Sequence, residues 1–173
     1  ISAKTHDLVD MQYSTYNRSL VPALRQNGLR VVMAHEDLTA EEAAFADEYF
    51  RQNVYPVLTP MAFDSSRPFP LIRNKTLNIA ALLTKKAGKG AELEFAMVQV
   101  PSVLPRIVEL PRETDAGGRE IRGVNLQEEI MERKMPSLFL NYAMVASHPF
   151  RIIGLGDLPI DDGDAGALRE GLR

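Results

Sequence analysis

Between residues 67 and 106 the chain carries seven basic residues: Arg67, Arg73, Lys75, Lys85, Lys86, Lys89 and Arg106. Only two acids, Glu92 and Glu94, oppose them, although the whole chain has a net charge of −3. An arginine guanidinium presents a planar fork of donors that matches phosphate oxygens. Arg67 and Arg73 flank Pro68-Phe69-Pro70, where proline fixes the backbone φ and so holds the two side chains at set positions. Arg67, Arg73 and Lys75 are therefore the candidate contacts for a polyanion. The competing reading is a solvated hairpin with charged tips, a common device at sheet edges, and Lys85, Lys86 and Lys89 belong to it.

Other chemistries fail on spacing. The histidines are His6, His35 and His148, and no two share a motif. A nucleophilic or metal-binding histidine needs a partner that holds it in place. Gly88-Lys89-Gly90 lacks the upstream glycine and following Ser/Thr of a phosphate loop. Gly154-Leu155-Gly156 lacks the third glycine of a dinucleotide fingerprint. Asp157, Asp161, Asp162 and Asp164 do not fit a calcium loop, because Pro159 occupies a ligand slot and no glutamate follows at the required offset; capping of a last helix near 161–164 explains them better. No catalytic residue and no metal site is assigned. The chain has no cysteine, which excludes disulfides and zinc–thiolate sites.

The elements that must position these residues follow from periodicity and capping. Val9, Tyr13, Tyr16, Leu20 and Leu24 recur at helical spacing, predicting an amphipathic helix over 3–27, with Ser19 capping a new start around Pro22 and Gly28 as its left-handed stop. Residues 29–33 read as extended. Thr39-Ala-Glu-Glu42 is a capping box for a helix to about residue 53, with Ala43, Ala46, Phe50 and Val54 as its buried stripe and a stop before Pro56. Residues 54–78 hold Pro56, Pro60, Pro68 and Pro70 among many apolar side chains. This predicts a stiff, extended, buried or docked segment in which these prolines and Phe69 are structural anchors. Strands are predicted over 76–85 and 92–100 as a hairpin, then 106–110 and 121–124, with a turn at 114–118. Asn125 and Glu128 predict a capped helix to about residue 134, before Pro136. Residues 142–153 read as extended, broken at Pro149. The fold class is α+β: an N-terminal amphipathic helix, the remnant of a helical bundle, followed by a mixed α/β domain whose sheet contains an antiparallel hairpin.

Several of these segments carry a resemblance. EYFRQNVYPVLTPMAFD at residues 48–64, followed by RPFPLIRNKTLNIA at 67–80, resembles the start of the head domain of the long-chain polyphosphate kinases. DLVDMQYSTYNRSLVPALRQNGLRVV at 7–32 resembles the last helix of that family's N-terminal helical domain. FAMVQVPSVLPRIVELP at 95–111 is similar to its central head strands, and HPFRIIGLGDLPID at 148–161 to its late head segment. The resemblance implies that residues 1–35 are the C-terminal part of the helical N domain and that 36–173 form the head, or middle, domain. It implies a longer parent enzyme that reversibly moves the terminal phosphoryl group of ATP onto inorganic polyphosphate with Mg²⁺. It also implies a phosphorylated catalytic histidine in C-terminal domains that this fragment lacks, and a homo-oligomer assembled through the head.

On this reading the chain is a scaffold and assembly domain, inactive by itself and holding no cofactor of its own. A cytoplasmic location is expected, since no secretory signal or membrane-spanning run is visible; membrane association of the parent enzyme is left open. The alternative is a non-enzymatic α+β module that docks a protein through residues 54–72. A nucleic-acid binder is disfavoured by the net charge and by the lack of an aromatic–basic stacking platform. The open reading frame downstream of residue 173 discriminates, since paired phospholipase-D-like halves there support the kinase.

Overall fold

The computed structural model describes residues 2–34, 37–63, 72–86 and 93–153. The chain divides into two compact units, one of residues 1–46 and 107–126, the other of 47–106 and 127–173.

In the first unit, α1 (Ser2–Thr15), a π-helical stretch (Tyr16–Leu20) and α2 (Val21–Gln26) follow one another directly. The predicted break at Ser19 is not there: Leu20 stays right-handed helical and no side chain caps α2. Pro22 falls in the first turn of α2, where its missing N–H costs nothing, and the wider π turn before it absorbs the ring. Val9, Tyr13 and Leu20 of the apolar stripe are exposed. Gly28 stops the helix at φ 82°, as its sequence position predicts. β1 (Leu29–Val32) then runs parallel to β7 (Glu120–Leu126), with Val31 opposite Val124. β5 (Ile107–Glu109) flanks β7 antiparallel, and the two-residue β6 (Glu113–Thr114) also pairs β7. The predicted turn joins β6 to β7: Asp115 accepts from the N–H groups of Gly117 and Arg119 at 2.9 Å each, and Gly118 sits at φ 80°.

α3 (Ala40–Tyr49) opens with the capping box. The Thr39 N–H donates to Glu42 Oε2 at 3.0 Å, and the Glu42 N–H to Thr39 Oγ1 at 3.3 Å. The helical path continues past the predicted end through a π stretch (Phe50–Val54) and a 3₁₀ turn (Tyr55–Val57) that contains Pro56. Pro56 thus sits inside a helical turn, not in extended chain; the first positions of a turn tolerate proline. Ala46, Phe50 and Val54 are buried as the stripe requires, whereas Tyr55 and Val57 are exposed.

The second unit is built on an antiparallel sheet of order β2-β4-β3-β8, comprising β2 (Met61–Phe63), β3 (Leu77–Lys85), β4 (Leu93–Gln99) and β8 (Tyr142–Arg151). β3 and β4 form the predicted hairpin pair, with Ala81 opposite Ala96. They are apolar and buried on both faces, as strands covered on two sides must be. Ala80, Leu82, Phe95 and Met97 pack on one face with Ile72, Met61, Phe150 and Ile152. The alternate residues Ile79, Leu83 and Val98 belong to the other face. α4 (Gln127–Leu138) packs on β3 and β8 and buries Ile130, Met131 and Met135.

Three sequence expectations fail here. Asn125 is no helix cap but a buried residue of β7, paired with Val32 and Val108, and Glu128 serves Arg106 instead of closing a capping box. Helix α4 carries Pro136 inside its last turn, held by burial of Met135 and Phe139 on either side. β8 runs unbroken through Pro149, which pairs with Ile79. As an end strand of the four, β8 tolerates a residue that cannot donate to the ladder. The predicted last helix near 161–164 lies outside the described residues.

Candidate functional site

The second unit contains a cavity of about 440 Å³ whose wall includes Lys75, Arg106, Gln127 and Arg151. Each side chain arrives by a different route. Lys75 sits in the turn before β3, at φ 64°, the one positive-φ non-glycine residue among those described. A left-handed lysine is strained, and strain of this kind persists only where surrounding structure imposes it. Two features impose it. The Lys75 N–H donates to the Ile152 carbonyl at 2.8 Å, and the Thr76 N–H and Oγ1 donate to the Arg73 carbonyl at 3.3 and 2.7 Å. Buried Asn78 locks the same turn, its Nδ2 donating to the Thr76 carbonyl and to Thr76 Oγ1 at 3.1 Å each.

Arg151 is the last residue of β8, opposite Leu77 in the register. The β3–β8 pairing therefore brings a cation from far along the chain to the same end of the sheet as Lys75. Arg106 stands just before β5. Its Nε donates to Glu128 Oε1 at 2.9 Å and to Oε2 at 3.2 Å, and Nη2 also donates to Oε1. The hydrogen bond to Glu128 holds the Arg106 pKa above its ordinary value, with the Coulombic pull of the same carboxylate adding to it. The pair leaves Nη1 outside its own hydrogen bonds. The Arg106 carbonyl accepts from the Gln127 N–H at 2.7 Å, tying the start of β5 to the start of α4. Gln127 is buried, and its Nε2 has no hydrogen-bond partner among the described residues. A buried donor left unmet costs about 1–3 kcal/mol.

The wall thus concentrates donors and positive charge. Among the residues picked from the sequence, Lys75 lines it. Arg73 is exposed on the same turn, with its carbonyl engaged. Arg67, Pro68, Phe69 and Pro70 lie outside the described residues. Pro56 and Pro60 are exposed. Lys85 pairs with Glu94 at 2.6 Å and Lys86 donates to the Leu140 carbonyl at 3.0 Å, so two hairpin cations are engaged locally; Lys89 is outside the described residues. Sequence reasoning missed Arg151 and Gln127. Neither carries a local signal, since strand pairing and the β5–α4 junction alone bring them to Lys75.

A second cavity of about 460 Å³ is lined by Asp47, Phe50, Arg51, Tyr55, Lys134 and Ser137. Its cations are spoken for: Lys134 pairs with Asp47 at 2.8 Å and Arg51 with Glu48. His6 is exposed on α1. His148 Nδ1 is 3.9 Å from Glu132 Oε1, which also accepts from Ser147 Oγ at 3.2 Å; no nucleophile–base arrangement results. Among the described residues no group of three His, Cys, Asp or Glu is placed to hold a metal ion, so no Mg²⁺ ligand set is assigned there. No described helix is long and apolar enough to cross a membrane.

Residues 41–173 match the family model "Polyphosphate kinase middle domain". The chain is 44% identical over 168 residues to "Polyphosphate kinase" of Lactiplantibacillus plantarum, covering 97% of this chain and 22% of that protein. It is 38% identical over 162 residues to "Polyphosphate kinase" of Exiguobacterium sibiricum, covering 94% of this chain and 21% of that protein. Its fold resembles the crystal structure of polyphosphate kinase from Porphyromonas gingivalis, with a TM-score of 0.79 at 24% identity, covering 92% of this chain and 26% of that one. The chain therefore spans about a fifth of the length of the curated relatives it matches.

Proposed function

Since the chain belongs to the polyphosphate kinase family, we propose that it serves as the head domain of an enzyme that reversibly transfers the terminal phosphoryl group of ATP to inorganic polyphosphate. In this reading residues 1–35 derive from the helical N domain and 36–173 form the head. The head guides polyphosphate and assembles the homo-oligomer, in the cytoplasm, while ATP and Mg²⁺ are handled by other domains of the parent enzyme. The observation that carries the polyphosphate part is the convergence of Lys75, Arg106 and Arg151 on one cavity wall. In-line phosphoryl transfer needs a nucleophile, cationic clamps and metal ligands meeting at one point. The described residues offer clamps only, which supports a guiding role over a catalytic one.

A polyanion engages several cations at once and releases counterions as it binds, so its affinity falls with salt. Replacing Arg67 and Arg73 by alanine in the full-length enzyme is expected to weaken polyphosphate binding, flatten its salt dependence and leave ATP affinity nearly unchanged. Equal salt slopes for variant and parent would return both arginines to a structural role. The isolated chain, incubated with ATP, Mg²⁺ and a polyphosphate primer, is expected to release no ADP above background; robust turnover would refute the scaffold reading. A protein-docking module is the second reading, favoured by the exposed Tyr55 and Val57.

A further inference from the structure

We propose that the cavity walled by Lys75, Arg106, Gln127 and Arg151 is itself a binding site for a short run of linear inorganic polyphosphate, with the chain's phosphoryl groups seated between these cations. The inference deepens the polyphosphate reading above and rests on it, but it assigns the contact to a pocket in the folded core of the second unit instead of to an exposed basic face.

Four observations converge. First, the cations come from three separate places, the turn before β3, the end of β8 and the start of β5. They surround a volume of about 440 Å³, within the range of about 300–1,000 Å³ typical of small-molecule sites. Second, the carboxylate near the wall, Glu128, is engaged by Arg106 through Nε and Nη2. That pairing fixes the plane of the guanidinium and leaves Nη1 to face an anion, and a planar fork fixed on one side and open on the other is suited to phosphate. Among the described residues no side-chain partner of Lys75 or Arg151 competes for them. Third, Gln127 is buried beside the cavity with Nε2 lacking an acceptor, and a phosphate oxygen, directly or through water, supplies one. Fourth, Lys75 is held in a left-handed conformation that glycine would adopt freely. The site keeps a cation where backbone energetics favour glycine.

The same wall speaks against a nucleotide. Its other members include Asn74, Thr76, Leu77, Gln99, Pro101 and Leu104, and no aromatic ring lines it on which a base would stack.

The test is calorimetric titration of the chain with inorganic tripolyphosphate, beside orthophosphate, sulfate and ATP. Saturable tripolyphosphate binding is expected, at least about tenfold tighter than orthophosphate and weaker at higher salt. Arg151→Ala and Lys75→Gly should each weaken it about tenfold or more, while Arg122→Ala, which removes a partner of Glu109 in the other unit, leaves it unchanged. Lys75→Gly is the informative variant. A purely structural lysine predicts equal or higher thermal stability with unchanged affinity, whereas a ligand-holding lysine predicts equal or higher stability with lost affinity. Absence of saturable binding, ATP binding more tightly than tripolyphosphate, or cavity variants with parental affinity would each overturn the site. If the cavity variants keep their affinity while alanines at Arg67 and Arg73 still weaken polyphosphate binding in the full-length enzyme, the cavity falls and the broader reading stands. The reverse pattern sustains the cavity alone.

Discussion

Arg30 of β1 reaches the carboxylate of Glu42 in the first turn of α3, and that carboxylate also closes the capping box on the Thr39 N–H. Glu42 is only 1% exposed. Arg30 extends the network to Glu113 Oε2 at 3.3 Å and to the Asp37 carbonyl at 3.0 Å. One side chain thus caps a helix and ties it to the strand before it.

Removing Glu42 strands a half-buried guanidinium as well as a helix end. Glu42→Ala is expected to destabilise the chain by about 3 kcal/mol, in the range for breaking a buried ion pair. Glu42→Gln, which keeps an acceptor for the Thr39 N–H, should cost less. Urea unfolding of both variants measures this, and equal losses would show that the cap matters more than the charge.

Gly123 of β7 leaves the space that Glu42 fills. A Cβ there would stand 3.0 Å from Glu42 Oε1 and 3.2 Å from Leu110 Cδ1. Gly123→Ala is expected to cost about 1–3 kcal/mol through overpacking. It should also be non-additive with Glu42→Gln in a double-mutant cycle, because both act on one carboxylate. Strict additivity would show that Leu110, and not Glu42, meets the new methyl group.

Gly28 and Gly118 share a left-handed backbone but not their surroundings. At Gly28 a Cβ would meet the Glu120 carbonyl oxygen at 3.3 Å, and at Gly118 nothing lies within 4 Å. Alanine at Gly118 should cost about 1–2 kcal/mol from the left-handed backbone alone. Alanine at Gly28 should cost more, and the difference in urea midpoint between the two variants reports the tight contact.

Glu129 supplies the pH dependence. Burial pushes its carboxyl pKa up, with the charges of Glu132 and Glu128 adding to the rise. The folded state then binds its proton more readily than the unfolded one. The ionised residue lowers stability above the raised folded value, and this penalty fades as pH falls to the ordinary carboxylate range and below. Glu129→Gln should therefore stabilise the chain at neutral pH, with the gain vanishing in mild acid. A gain that persists unchanged at acid pH would point to packing instead of charge.

What was legible in the sequence is what short-range physics decides. The Thr39–Glu42 box, the Gly28 stop, the turn at Asp115 and the β3–β4 pair each declare themselves within a few residues, and each is present. Asn125 was misread because capping preference is local, while its place in β7 is set by partners at Val32 and Val108. Pro149 reads as a breaker until the strand that holds it is known to lie at the end of the sheet order. The basic stretch was visible, and Lys75 was picked from it. Arg151 and Gln127 were not, because strand register and a strand–helix junction, not composition, carry them to the cavity.

The parallel pairing of β1 with β7 also sets a clock. Arg119 Nη1 donates to the Gln26 carbonyl at 2.8 Å across 93 residues of chain, and β1 finds its strand partner only a few residues later. At synthesis rates of about 5–20 residues per second, β1 leaves the ribosome roughly 5–20 s before β7 exists to receive it. For that interval a short apolar strand with an open edge has no native mate, while the β3–β4 hairpin, made in between, can already close. A nascent chain stalled between residues 100 and 119 should hold an ordered hairpin and an unpaired N-terminal strand, which makes that window the one in which a chaperone or a neighbouring nascent chain would find the most to bind.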